Sequence, residues 1–132
     1  VSSIAFGAAM HAPSSALNFA TCQESINTYD GATEGNYFMG PTLWSSDPDI
    51  FGLSDPDAVS YLTSLYGYYT DLGSHLDKFH QSPLSVGIAH DYDNVNWVFD
   101  GHNESIYPYD FQEDHGPGMS DHDDGIMNHD VE

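Results

Sequence analysis

The residues best suited to chemistry crowd one end of the chain. Asp114 to Glu132 divides into sevens, DHGPGMS, DHDDGIM and NHDVE, each opening on Asp or Asn followed by His. The pairs are Asp114-His115, Asp121-His122 and Asn128-His129, and Gly118 and Gly125 hold matching places. Met119 and Met127 add thioether sulfur, and no Lys or Arg competes for the carboxylates. Imidazole, carboxylate and thioether at recurring spacing concentrate metal ligands. The candidates in this tail are His115, Met119, Asp121, His122, Asp123, Asp124 and His129. The plainer alternative is an acidic solvating tail, yet such a tail has no need of His at every seventh position.

A second constellation, HDYDNVNWVFDGH, runs from His90 to His102. Its candidate ligands are His90, Asp91, Asp93, Asp100 and His102, with Asn94 and Asn96 between them. Oxygen donors at alternate positions suit a hard cation such as calcium. The run lacks the central Gly and the closing Glu of an EF-hand, so that motif fails. A symmetrical hairpin would bring His90 and His102 within reach of each other, and with one Asp they would suit zinc or copper(II). The alternative is an Asx-rich turn whose side chains cap their own backbone. Two weaker pairs, Asp71 with His75 and Met10 with His11, are as readily an exposed contact and a hydrogen-bonded His.

Enzyme signatures are missing. The sequence has no GxSxG, no HExxH and no phosphate-binding glycine loop for a nucleotide, so a non-catalytic protein is expected. Cys22 stands alone, which rules out an intrachain disulfide, and without CxxCH there is no c-type haem. Asn103-Glu104-Ser105 fits a glycosylation sequon.

Charge narrows the partners. Over 132 residues, one Lys or Arg (Lys78) faces 21 Asp and Glu, for a formal net charge of −20. Nucleic acid is excluded, because binding phosphates needs cations, and anionic membrane surfaces are excluded for the same reason. Such a chain repels itself unless metal ions, protons or a basic partner compensate. The Asp-, Asn-, Tyr- and Gly-rich mixture, and a start at Val1 without initiator Met or apolar leader, fit a secreted, extracellular mature chain. No apolar run is long enough for membrane insertion as a helix.

The elements that must position these groups follow from periodicity. The uncharged N-terminal part predicts strands over residues 4–10 and 16–22. Ser54 or Asp55 as cap, Pro56 in the first turn, and Val59, Leu62, Leu65, Tyr66, Tyr69, Leu72, Leu76 and Phe79 at three- and four-residue steps predict one long helix through His80. Leu84–His90 and Val95–Phe99 predict a hairpin, and Ile106–Phe111 an edge segment limited by Pro108. The expected architecture is therefore α+β, one long amphipathic helix on a small, mostly antiparallel sheet. It comprises a domain over 1–111 and an acidic His/Asp/Met tail over 112–132. Two functions fit: a secreted or cell-surface metal-binding protein taking calcium or copper, or a self-assembling subunit of an extracellular filament, surface layer or capsid. Metal bridges between acidic copies would make the two compatible.

Overall fold

A computed structural model describes residues 3–10, 16–22, 40–51, 64, 75–79, 84–101, 103–113, 116 and 125–127. Their elements, in chain order, are β1 (Ser3–Met10), β2 (Leu17–Cys22), β3 (Thr42–Ser45), α1 (Pro48–Phe51), β4 (His75–Lys78), β5 (Ser85–His90), β6 (Val95–Asp100), β7 (Ser105–Asp110) and β8 (Ile126–Met127). Strands β1 to β4 pair in sequence order as one antiparallel sheet, and β5 to β8 as a second. Each sheet pairs its described strands in chain order.

The α+β expectation is overturned. The described residues are 62% strand, with no helix of seven or more residues among them. Within the expected helix, Ser64 is helical, residues 52–63 and 65–74 lie outside the described set, and His75–Lys78 is a strand. The spacing of Leu76 and Phe79 that suggested a helical face serves a strand entering the core equally well, since both are buried. Thr42 pairs with Lys78 and Leu43 with Asp77, and the Phe79 amide donates to the Pro41 carbonyl at 2.8 Å. Cross-strand pairing of this kind outweighs the modest preference of Leu and Lys for helix. The α1 element is a single turn. Asp47 caps it, accepting from the Asp49 amide at 3.0 Å, and Pro48 occupies the first helical position.

The strands expected over 4–10, 16–22, 84–90, 95–99 and 106–111 coincide with β1, β2, β5, β6 and β7. Pro108 is not kept at an outer edge, because β7 lies between β6 and β8. Strand β8 reaches only Tyr109 and Asp110, so the missing N–H of Pro108 costs no bond to it.

The core lies between the two sheets. Ala20, Leu43 and Leu76 from the first meet Val98, Tyr109 and Phe111 from the second, with Phe79 joining them. Full burial of a side chain such as Val98 stabilises by about 1.5–3 kcal/mol. The Phe79 ring sits 4.7 Å from that of Tyr109 and 4.9 Å from that of Phe111, both tilted. Such pairs add about 0.5–1.5 kcal/mol each beyond area burial. The layers approach closely at two places. A Cβ on Gly7 of β1 would lie 3.4 Å from the His90 ring on β5, and one on Gly125 would lie 2.9 Å from the Phe79 ring.

Candidate functional site

The turn between β5 and β6 holds three of the sequence-identified ligands. His90 pairs across the hairpin with Asn96, and the Val95 amide donates to the Tyr92 carbonyl at 2.7 Å to close the loop. Asp93 takes a φ of 42°, a left-handed conformation that Asp tolerates better than most residues. His90 Nε2 lies 3.0 Å from the Asp93 carbonyl oxygen. A carbonyl only accepts, so in this bond Nε2 is the donor. The Asp91 carboxylate accepts from the Trp97 indole at 2.9 Å. His90, Asp91 and Asp93 are thus gathered in one turn, each with a local hydrogen-bonding role.

Asp100 is elsewhere. It pairs with Ser85, five residues along β5 from His90, which at strand rise is roughly 16 Å away. Its carboxylate is 2% exposed and accepts from the Tyr109 hydroxyl, the Asn103 amide at 3.0 Å and Asn103 Nδ2 at 2.7 Å. The hairpin therefore separates Asp100 from the turn instead of wrapping both round one ion. His102, His115, Met119, Asp121, His122, Asp123, Asp124 and His129 lie outside the described residues. Among the described residues, no group of three His, Cys, Asp or Glu is placed to hold a metal ion. Ile126 and Met127, inside the expected tail, pair with Asp110 and Tyr109 as β8.

Cys22 is buried, with its sulfur 3.0 Å from the Ser3 hydroxyl. His75, expected on an exposed helix face with Asp71, is instead buried on β4, its ring 6.4 Å from that of Trp44 and edge-on to it. Asp71, Met10 and His11 contribute no described side chain.

The feature that residue chemistry missed is on the outer faces of the sheets. Phe6, Phe19, Trp44 and His75 form one cross-strand row of the first sheet on the parity opposite to Ala20 and Leu43; Phe19 and His75 in that row are buried, and its exposed end is Phe6 on β1. Phe6 is 68% exposed, and Ile4 and Leu17 on the same face are exposed as well. On the second sheet, Phe99 pairs with Ile106, Trp97 with Pro108 and Asp110 with Ile126, again on the outer parity. Phe99 is 55% exposed, and Val86, Ile106 and Ile126 are also exposed. Val86, Phe99 and Ile106 line a shallow recess of about 270 Å³ rimmed by Glu104. A sheet with one face on a core ordinarily alternates apolar-in with polar-out. The signal was present in the sequence: Trp97 and Phe99 occupy the parity opposite to Val98, and all three are apolar.

Carboxylates are sparse on the described strands, with Asp110 the one on the outer parity of the second sheet. Of the 21 Asp and Glu, only Asp77, Asp100 and Asp110 fall on the described strands, and Asp77 and Asp100 are buried. No described helix is long and apolar enough to cross a membrane. No protein-family model, curated protein or solved structure matches this chain.

Proposed function

We propose that this chain is a non-catalytic structural subunit that packs against further copies of itself through the apolar outer faces of its sheets. The supporting observation is the exposure of Phe99, Ile106 and Ile126 on one sheet and of Ile4, Phe6 and Leu17 on the other. Large apolar patches on a soluble domain mark interaction surfaces. The exposed side of the second sheet and the exposed β1–β2 margin of the first give the two contact surfaces that an open-ended assembly needs, whether like surfaces meet or unlike ones. The faces are nearly free of carboxylates, so stacking them does not press like charges together. The remaining negative charge still opposes association, and divalent cations would supply the counter-charge. An extracellular setting, where calcium is abundant, is part of this reading.

Sedimentation velocity over a range of concentrations, with calcium and with chelator, tests it. The full chain should form species larger than a monomer in calcium. Phe99→Asp with Ile106→Asp should return it to monomer without loss of its circular dichroism spectrum. A wild-type chain that stays monomeric at every concentration in calcium removes the proposal.

A second reading, metal binding by the tail, is favoured by the His recurring at 115, 122 and 129. Elemental analysis of full-length protein purified without chelator checks it. Copper, zinc or calcium should be present in a fixed ratio and should fall when those three His are replaced by Ala. Metal-free protein, or content indifferent to the replacement, rejects it.

A further inference from the structure

Three asparagines meet where β2 passes the β5–β6 turn. Asn18 Nδ2 donates to Asn94 Oδ1 at 3.3 Å, joining the first sheet to the second. Asn94 Nδ2 donates to the Gln112 carbonyl at 2.8 Å, and the Asn94 carbonyl accepts from the Phe111 amide at 3.2 Å. Asn96 Nδ2 also turns to the Asn94 carbonyl, at 3.4 Å. Asn94 therefore ties together β2, the turn and the chain leaving β7. The cluster is dry by exposure: Asn18 is 1%, Asn96 2% and Asn94 9% exposed.

Two oxygens in it are not accounted for. Asn18 Oδ1 and Asn96 Oδ1 are buried and have no hydrogen-bond partner among the described residues. Buried carbonyl oxygens in folded proteins nearly always accept a bond, from protein or from ordered water. Both side chains already spend one N–H on Asn94, so exchanging amide nitrogen for oxygen would break those bonds to make others. The group that satisfies these oxygens must donate hydrogens or carry positive charge.

We propose that this seam is a hydration site, where ordered water donates to Asn18 Oδ1 and Asn96 Oδ1 and helps lock β2 to the β5–β6 turn. Water fits better than a cation for a chemical reason. Each amide oxygen stands beside its own NH2 group, whose second N–H is free to meet a water lone pair and would repel a metal ion. The oxygen donors are neutral amides, whereas hard cations are held mainly where carboxylates contribute. A buried water makes about three such bonds, and this cluster offers both acceptors and donors. The site is independent of the assembly reading.

Water-exchange NMR on the full-length, 15N-labelled chain tests it. The Asn18 and Asn96 side-chain amides should show cross-relaxation to a water whose residence is far longer than that of surface hydration. In Asn96→Leu the Asn18 signal should weaken or vanish, while the corresponding signals of exposed Asn103 stay unchanged. Absence of long-lived water at both amides in the wild-type chain overturns the proposal, with no variant needed. A shift of the Asn18 and Asn96 side-chain resonances that saturates on addition of calcium or potassium chloride would overturn it in favour of a cation.

Discussion

Asp100 shows how a chain without arginine keeps a carboxylate inside. The Tyr109 hydroxyl and two donors from Asn103 bind it instead, closing the β6–β7 turn. Asp100→Ala would strand a buried hydroxyl and the Asn103 groups, and should lower stability by roughly 3 kcal/mol in urea titration. Tyr109→Phe removes one bond and leaves the two from Asn103, so its cost should be smaller, about 1–2 kcal/mol. Equal losses in the two variants would mean that Asn103 contributes nothing. Lys78 gives a different readout. Burial pushes its ammonium below the ordinary value of 10.5. In the window between the lowered and the ordinary value, the unfolded chain binds more protons than the folded one, so this group makes stability rise with pH there. Below that window its desolvation penalty is fully present. Urea midpoints of wild type and Lys78→Met should therefore shift relative to each other between neutral pH and pH 10.5, in favour of wild type. Parallel curves across that range would refute the burial effect.

At the scale of elements, the seam near β4 and β8 is the most sensitive to added volume. Phe79 is wedged between Tyr109 and Phe111, so its ring cannot retreat from a new methyl group at Gly125. Gly125→Ala should cost about 1–3 kcal/mol by overpacking, read as a lower urea midpoint. A neutral effect would show that the 125–127 segment yields readily. The same elements show what periodicity could and could not reveal. Strands β1, β2, β5, β6 and β7 were legible, because alternation over six or more residues, bounded by turn residues, has few other readings. Strand β4 was not. Four residues are too short to establish a period, and Leu76 and Phe79 satisfy a three-residue helical step as well as a route through the core. Strand β8 is shorter still and stands inside a repeat whose His and Asp suggested only ligands. The hairpin was read correctly, but its ends were imagined as meeting; a hairpin pairs His90 with Asn96 and carries Asp100 to the far end. The exposed apolar residues are hard to see in sequence because Trp97, Val98 and Phe99 are consecutive and all apolar, so alternation does not say which of them faces the core.

The whole molecule divides its chemistry by region. All but three of the 21 carboxylates lie outside the described strands, so a net charge of −20 coexists with exposed apolar residues on those strands. Association through those faces should then respond to ionic strength in a particular direction: salt screens the repulsion between the acidic copies, over roughly 10 Å at 0.1 M, and leaves apolar contact intact, so the larger species should grow as sodium chloride rises from about 50 mM to about 500 mM. Sedimentation at both concentrations checks this, and smaller species at high salt would contradict it. The sequence order of the strands has another consequence. Every described ladder joins successive described strands, and the two sheets dock on each other through the shared core. Loop closure is short for β5–β6 and β6–β7 and long for β3–β4, so the second half spends less entropy than the first on its pairing before the halves meet. A chain severed between Gln81 and Ser82 leaves every strand of β1–β4 on one piece and every strand of β5–β8 on the other. The two pieces, made separately and mixed, should recombine and recover the near-ultraviolet dichroism of the intact chain, the backbone break being tolerated where no ladder crosses it.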